Sequence, residues 1–303
     1  MKNSSFLTVC MSPTLQKTLV FPALAKDRVN RTGEYRLDIA GKGINASRVL
    51  HQLGKECCHL TQLGGAFRPL FLELCAADGL KIKWVESNSP IRFCYTLIDR
   101  AEKTVTELVE ETERVGEGTG GRLLETFSEI VGEYSTVVIA GTKAAGFQDD
   151  LIPEMVRGAK KTGCRIILDI RGQDLLKSLP FGPDVIKPNL SEFLSTFAPG
   201  MDTPEKNLKE KVSEIWSGLY KKFPCALVLT RGTGSVWYTG SGELAEFAFE
   251  PVEPLNTTGS GDAFTAGLAA ALGDNASLGE AVAEGARCGA LNAVQLRPGV
   301  IRA

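Results

Sequence analysis

The segment 256–262 (NTTGSGD) places a carboxylate and two glycines directly before a run of small, helix-forming residues at 263–271. Backbone N–H groups at the start of a helix have no partners within the helix, so together they can bind an anion. Glycine allows the backbone to approach a phosphate closely. Asp262 beside such a site could take the proton from a hydroxyl that attacks a phosphoryl group. The alternative is a glycine-rich turn in which Asp262 only caps the helix.

A second glycine-rich segment, 40–47 (AGKGINAS), lies between a candidate strand and a candidate helix. It is not a P-loop, because Lys42 is followed by Gly43 instead of Ser or Thr. Its glycines and Asn45 could shape a pocket for a polyol. A plain strand-to-helix turn that needs glycine is the alternative.

A third segment, 187–192 (KPNLSE), lies where a candidate strand ends and a helix begins. Asn189 and Glu192 are three residues apart, so they share one face of the first helical turn. An amide and a carboxylate there suit an indirect hold on Mg²⁺ and phosphate through water. A simple capping box, with Asn189 at the N-cap and Glu192 at N3, is the alternative.

The glycines of segment 116–121 (GEGTGG) match the G-x-G-x-x-G spacing of a dinucleotide-binding turn. That turn follows directly on an apolar strand, whereas residues 110–114 before this segment are polar. The pattern therefore predicts a loop here.

Composition is typical of a folded chain with a substantial core: 303 residues, 43% hydrophobic and 23% charged. The net charge of −2 gives no reason to expect nucleic acid or an anionic membrane as a partner. Eight cysteines without C-x-x-C spacing, and only two histidines, argue against a zinc site and predict reduced core thiols. Residues 1–13 are too polar for a signal peptide and no membrane span is evident, so a cytoplasmic protein is expected.

Short apolar strands alternate with helices along most of the chain, which predicts an α/β layered fold with a mainly parallel central sheet covered on both faces. The predicted strands are Phe6–Met11, Cys57–Leu63, Thr136–Ala140, Arg165–Ile170, Asp184–Lys187 and Ala226–Thr230, and the predicted helices are Gly43–Leu53, Asp150–Lys161 and Pro204–Lys222. Lys17–Ile39 and Arg92–Val109 break the rhythm and predict extra strands, in a small second sheet that acts as a lid. Ordinary edge hairpins are the alternative.

In this order and spacing, the segments resemble the ribokinase/PfkB carbohydrate kinases over essentially the whole chain. Segment 256–262 is similar to that family's C-terminal signature, 40–45 to its N-terminal glycine signature, and 187–192 to the motif that positions Mg²⁺ and ATP. Similarity is strongest to the 1-phosphofructokinase and tagatose-6-phosphate kinase branch. It rests on GKGIN at 41–45, TE at 106–107 and IKPN at 186–189.

The resemblance implies one ribokinase-like kinase domain over residues 1–303, three-layered, with lid strands from about 17–39 and 91–110 and a lid that can mediate dimerisation. Asp262 would be the catalytic base, with the anion hole formed at Gly259, Ser260 and Gly261. The sugar phosphate would be bound by Ser12, Gln16, Gly41, Lys42, Asn45 and Arg92. ATP would be bound by Lys187, Asn189, Thr230, Arg231, Gly232, Gly234 and Asn292, and Mg²⁺ through water by Glu192.

Four positions depart from the branch pattern. The first strand normally ends N-P-x-x-D, and its Asp binds sugar hydroxyls, but Ser12 and Gln16 occupy those places here. Cys94 stands where Asn is expected, and Arg171 replaces a small residue. Gln16 is expected to contact the sugar, the alternative being a side chain that points to solvent. The expected activity is that of a 1-phosphofructokinase. A tagatose-6-phosphate kinase, a kinase of another sugar or nucleoside, and a non-catalytic sugar-binding relative are the alternatives.

Overall fold

The computed structural model describes residues 4–201 and 207–302. The strands are β1 Ser5–Val9, β2 Thr14–Phe21, β3 Tyr35–Ala40, β4 Glu56–Leu63, β5 Lys81–Glu86, β6 Arg92–Asp99, β7 Thr104–Val109, β8 Thr136–Ala140, β9 Arg165–Asp169, β10 Val185–Ile186, β11 Ala226–Arg231, β12 Gly234–Thr239 and β13 Ala245–Phe247. The α-helices are α1 Lys42–Gln52, α2 Arg68–Ala77, α3 Thr119–Ile130, α4 Leu151–Lys161, α5 Gly172–Ser178, α6 Leu190–Phe197, α7 Leu208–Tyr220, α8 Ser260–Gly273 and α9 Leu278–Ala293.

Within those residues, nine strands form the central sheet, in the order β13-β12-β11-β10-β9-β8-β1-β4-β5. The sheet is parallel except for β12 and β13 at one edge. Successive residues of its strands face opposite sides, so Leu7 packs with α3 to α7 and Phe6 packs with α1, α8 and α9. The result is a three-layer α/β fold, as the sequence predicts.

Four described strands form a separate small sheet in the order β3-β2-β6-β7. Strands β2 and β6 run parallel, and the other two pairings are antiparallel. Leu15 and Ile39 anchor the sheet by packing against Ile44 of α1 and Phe71 of α2. The prediction of a second, smaller sheet is therefore confirmed, and the alternative of two ordinary edge hairpins is wrong.

Several predicted elements differ from the structure at their ends. The predicted loop at 116–121 is wrong in its second half, because Gly118 adopts a left-handed conformation (φ 77°) and α3 begins at Thr119. The strand predicted at Asp184–Lys187 is shorter, Val185–Ile186. The start of the helix predicted at Pro204–Lys222 lies outside the described residues, and its described part is Leu208–Tyr220.

Each of the eight cysteines is a free thiol, and all but Cys57 are buried, as expected for core residues. In the part of the chain that the structure describes, no helix is both long enough and apolar enough to cross a membrane.

Candidate active site

The start of α8 carries the predicted anion hole. Gly259 is the N-cap residue in a left-handed conformation (φ 82°), and a Cβ atom there would lie 2.9 Å from Cβ of Pro298. Only glycine suits this position on both grounds. Asp262 lies inside the first turn of α8 and is not the N-cap, so the alternative reading of Asp262 as a simple cap is wrong.

Asp262 is buried, and its carboxylate is held by Asn45 of the glycine-rich segment 40–47. Asn45 Nδ2 donates a hydrogen bond of 2.8 Å to Asp262 Oδ2. Arg48 Nη1 donates to Asn45 Oδ1 over 3.2 Å, which orients the amide toward the carboxylate. Burial raises the pKa of Asp262 to about 6, although the Lys42 ammonium and the Asn45 hydrogen bond act in the opposite direction. A carboxylate with this pKa is charged at neutral pH and can still accept a proton.

Asp169, at the carboxyl end of β9, is the centre of a cluster that sequence reasoning missed. Its carboxylate lies 2.9 Å from Lys42 Nζ and 3.1 Å from Lys187 Nζ, and it accepts a 2.7 Å hydrogen bond from Thr265 Oγ1. Burial alone would raise the pKa of Asp169, but the ammonium groups of Lys187 and Lys42 hold it below its usual range. A carboxylate at the carboxyl end of a parallel strand, where α/β sheets bind ligands, was the available signal.

Glu192 caps α6 and also brings a carboxylate oxygen close to Lys42. Its backbone N–H donates to Asn189 Oδ1 over 2.8 Å, and its Oε2 accepts from the Asn189 N–H over 3.0 Å. The capping box is therefore confirmed. The other carboxylate oxygen, Oε1, lies 3.4 Å from Lys42 Nζ, so the cap also brings a charge into the site.

Lys42 lines two neighbouring cavities. The first, about 220 Å³, lies where the small sheet meets the ends of β8 and β9. It is lined by Ser12, Gly41, Lys42, Arg92, Gly141, Thr142, Asp169, Ile170, Arg171 and Glu192. The second, about 380 Å³, is lined by Lys42, Val105, Glu107, Thr257, Thr258, Gly259 and Asp262. Four predicted sugar-phosphate residues thus line the first cavity, and Asn45 touches the predicted base in the second.

Gln16 does not point to solvent. Its side chain is buried on the small sheet, where Nε2 donates a 2.7 Å hydrogen bond to Thr96 Oγ1. It is paired across the strands with Asp38 and lines neither acceptor cavity in the described part of the chain. The solvent-facing alternative is therefore wrong.

A third cavity, of about 340 Å³, lies between the β11–β12 turn, α8 and α9, where the sequence predicts the nucleotide. Predicted residues Asn189, Thr230 and Gly232 line it together with the apolar side chains of Val236 and Phe264. An apolar cleft with a few polar groups suits a flat heteroaromatic base.

The other predicted ATP residues lie around this cavity without lining it. Arg231 stacks on Trp237, with its guanidinium carbon 4.0 Å from the ring centre, and Gly234 starts β12. Lys187 is buried against Asp169. Asn292 is also buried, and its Nδ2 donates to Thr258 O and Ser260 Oγ while its Oδ1 accepts from the Gly299 N–H. In this structure Asn292 supports the anion-hole loop.

The small sheet reaches the anion-hole loop directly. Thr258 Oγ1 donates a 2.6 Å hydrogen bond to Glu107 Oε1 of β7. Lys103 and Glu253 form a second bridge of 2.7 Å between the same two regions. The sequence predicts neither contact, because each joins residues about 150 positions apart.

Comparisons with known proteins agree with this architecture. A model of the pfkB family carbohydrate kinases matches residues 13–299. The tetrameric inhibited form of phosphofructokinase-2 from Escherichia coli has 22% identity and a TM-score of 0.84, covering 96% of this chain and 93% of that one. A possible 1-phosphofructokinase from Thermotoga maritima has 21% identity and a TM-score of 0.86, covering 97% and 93%. Ribokinase from Arabidopsis thaliana, complexed with ribose and ATP, has 19% identity and a TM-score of 0.74, covering 98% and 94%.

Proposed function

Because this chain belongs to the pfkB family of carbohydrate kinases, we propose that it transfers a phosphoryl group from ATP to a hydroxyl of a sugar phosphate, with fructose 1-phosphate as the first candidate acceptor. The product would then be fructose 1,6-bisphosphate. The observation that carries this proposal is Asp262, a buried carboxylate with a raised pKa in the first turn of α8, at the end of the helix where backbone N–H groups have no partners within the helix. This pairing of a base with an anion site is what phosphoryl transfer to an alcohol requires.

On the acceptor side, Asp262 accepts the proton of the attacking hydroxyl. The Asn45 amide keeps the carboxylate pointed into the cavity, and Arg48 keeps the amide from rotating. The backbone N–H groups at 259–261 stabilise the negative charge that develops on the transferred group. Lys42, with its pKa raised by the surrounding carboxylates against the effect of burial, stays protonated beside the transfer path.

On the donor side, the cavity of about 340 Å³ would hold the adenine and ribose of ATP. Thr257 lines both this cavity and the one that contains Asp262, so the two cavities are neighbours. The phosphates would thus extend from Thr230 and Gly232 toward the start of α8.

Mg²⁺ fits the same site, since the oxygen donors of Asp169 and Glu192 are of the kind that this ion prefers. When bound, it neutralises phosphate charge. Asp169 and Glu192 would hold it, the latter through water as the sequence predicts. Their present partner is Lys42.

A substrate panel tests the proposal. Purified protein is assayed with ATP and fructose 1-phosphate, tagatose 6-phosphate, fructose 6-phosphate, free hexoses, ribose and a nucleoside. The proposal requires kcat/KM at least tenfold higher for one sugar phosphate than for any uncharged acceptor. Turnover confined to uncharged acceptors would overturn it, and binding without turnover of any acceptor would favour a non-catalytic sugar-binding role.

We also propose that the small sheet mediates a homodimer. Its outward face carries Tyr35, exposed by 60%, and Leu108, exposed by 50%, next to the stacked rings of Phe93 and Tyr95. An exposed apolar sheet face of this kind is typical of an interface. The tetrameric state of Escherichia coli phosphofructokinase-2, a protein of the same fold, supports a second copy of this chain as the occupant.

A further inference from the structure

Arg171 is a cation in the acceptor site for which neither the proposed mechanism nor the branch pattern has a role. It follows β9 two residues after Asp169, in the loop between that strand and α5. The loop carries the Arg171 side chain to the wall of the 220 Å³ cavity, which Arg92 of β6 also lines. One cavity is therefore lined by an arginine of the small sheet and by an arginine of the loop that follows a strand of the central sheet.

The charges around this cavity do not balance. Two carboxylates, Asp169 and Glu192, are matched by two ammonium groups, Lys42 and Lys187, in direct ion pairs. Neither arginine has a carboxylate partner among residues 4–201 and 207–302. The two arginines thus bring two positive charges to the cavity without a direct ion-pair partner among the described residues.

The hydrogen-bonding capacity of the two arginines is also largely unused. Arg92 donates from Nη1 to the backbone carbonyl of Glu110, over 2.9 Å, and its buried Nε has no partner among the described residues. The Arg171 side chain makes no hydrogen bond, ion pair or ring contact with any described residue, and it does not cap α5. A guanidinium presents five donors in a planar fork that matches a phosphate, so this pair is suited to a dianion.

We infer that Arg171 acts with Arg92 to bind the phosphate group already present on the acceptor, and that it is a specificity residue for phosphorylated sugars. This inference rests on the proposed function and deepens it. Because Lys42 lines both this cavity and the one that contains Asp262, the acceptor would extend from the arginine pair, past Lys42, to the base. The hydroxyl that reacts would then lie at the opposite end of the sugar from the existing phosphate.

The transferring phosphate of ATP is the competing occupant of the cavity. Arg171 lines neither the nucleotide cavity nor the cavity at the start of α8 in the described part of the chain. The proposed anion hole for the transferred group is at 259–261, where Gly259 lines the cavity with Asp262 and where Ser260 and Gly261 line the nucleotide cavity. The location of Arg171 therefore favours the phosphate of the acceptor.

The test compares Arg171→Ser, which restores a small side chain, with Arg171→Lys and with the control Arg157→Ser. Arg157 is a half-exposed arginine of α4 that is paired with Glu154, outside the cavity. Steady-state KM is measured separately for fructose 1-phosphate and ATP, and binding of inorganic phosphate is measured by calorimetry. For Arg171→Ser we expect KM for the sugar phosphate to rise about 10- to 100-fold, the size of a charge-assisted hydrogen-bonding loss. KM for ATP should change less than about twofold.

Arg171→Lys should recover part of the loss, because it keeps the charge but not the planar fork. Arg157→Ser should match the wild type in every measurement. Calorimetric phosphate binding should weaken in Arg171→Ser by the same factor as the sugar-phosphate KM. Equal melting temperatures for the variants and the wild type exclude misfolding as the cause.

The possible outcomes separate this inference from the proposed function. An unchanged KM for fructose 1-phosphate in Arg171→Ser, with the wild type active on that sugar, overturns the inference and leaves the proposed function standing. An equal rise in KM for ATP assigns Arg171 to the nucleotide and also overturns the inference. Wild-type activity on uncharged sugars alone, together with Arg171-dependent phosphate binding, supports the anion site and overturns the proposed function.

Discussion

At the scale of single residues, Asp262 is the proposed base, and burial and a hydrogen-bond donor act on its pKa in opposite directions. Burial destabilises its charged form, while the amide of Asn45, held by Arg48, keeps that form available. Loss of a general base typically costs about 10²- to 10⁴-fold in rate. Asp262→Asn, which preserves shape, should therefore lower kcat by that factor while the dissociation constant for ATP, measured by calorimetry, stays within about twofold. Retention of more than half of the wild-type kcat would contradict the assignment.

The pH dependence of the reaction provides an independent test of the same residue. Asp262 is active as a base only when deprotonated, and its pKa is raised to about 6. The value of kcat/KM should therefore be constant above about pH 7 and fall as the pH drops through 6, approaching tenfold per pH unit. Sugar phosphates also titrate near pH 6. The residual activity of Asp262→Asn separates the two causes, since an acid limb that persists in this variant belongs to the substrate.

Gln16 has a structural constraint that the sequence does not reveal. It lies directly across from Asp38, which is buried and paired with Arg297 at 2.6 Å. A carboxylate at position 16 would face a second carboxylate across the strands, which is destabilising. We expect Gln16→Asp to lower the melting temperature by at least about 2 °C, corresponding to about 1 kcal/mol in a chain of this size, whereas Gln16→Asn should cost less. A change of more than fivefold in the ratio of kcat/KM between sugar phosphates would instead support direct contact with the sugar.

At the scale of elements, β7 and the start of α8 are coupled by the Glu107–Thr258 hydrogen bond. Since Glu107 and Thr258 both line the cavity that contains Asp262, this bond joins two walls of the proposed acceptor site. Glu107→Ala and Thr258→Val should each lower kcat/KM for the acceptor about 3- to 10-fold, consistent with about 1 kcal/mol for one hydrogen bond. The double variant should lose no more than either single one. Additive losses would show that the two residues act separately.

The matched control for that cycle is the exposed bridge between Lys103 and Glu253, which joins the same regions. Exposed ion pairs contribute little, because water screens them and ordering long side chains costs entropy. Glu253→Ala should therefore leave kcat/KM within about twofold of the wild type. A loss as large as that of Glu107→Ala would indicate that any contact between the sheets matters, not the specific hydrogen bond.

What the sequence predicts about these elements depends on the range of the interactions involved. Period-two and apolar patterns are local, so the central strands and the helix after Asp262 could be predicted. The position of Asp169 at the end of β9 was a signal, but its cluster could not be predicted, because its partner Thr265 lies 96 residues away and becomes a neighbour only when α8 packs against the sheet. The contact of Asn292 with Thr258, 34 residues away, could not be predicted either, because the pattern of α9 does not show it.

At the scale of the whole molecule, the three layers bring the carboxyl ends of β8 and β9 and the starts of α1 and α8 to one edge of the central sheet. The small sheet covers this edge through Arg92 and Glu107. One face of the small sheet is therefore committed to the site. On its other face, Leu15 and Ile39 pack against α1 and α2, and the part with Tyr35 and Leu108 is exposed and can pack against a second copy of the chain.

That arrangement predicts that the oligomeric state depends on the outward face of the small sheet. Size-exclusion chromatography with light scattering should give a dimer or a multiple of it for the wild type. Leu108→Lys, which places a charge in the proposed apolar interface, should shift it to a monomer, because burying an unpaired charge is costly. Leu255→Lys is the control, since Leu255 is exposed by 53%, close to the 50% of Leu108, but lies outside the small sheet. A monomeric wild type, or equal dissociation by both variants, would contradict dimerisation through this face.

If the small sheet must also be held rigid to close over the acceptor, Leu108→Lys should raise KM for the sugar phosphate more than KM for ATP, although Leu108 lines neither acceptor cavity in the described residues.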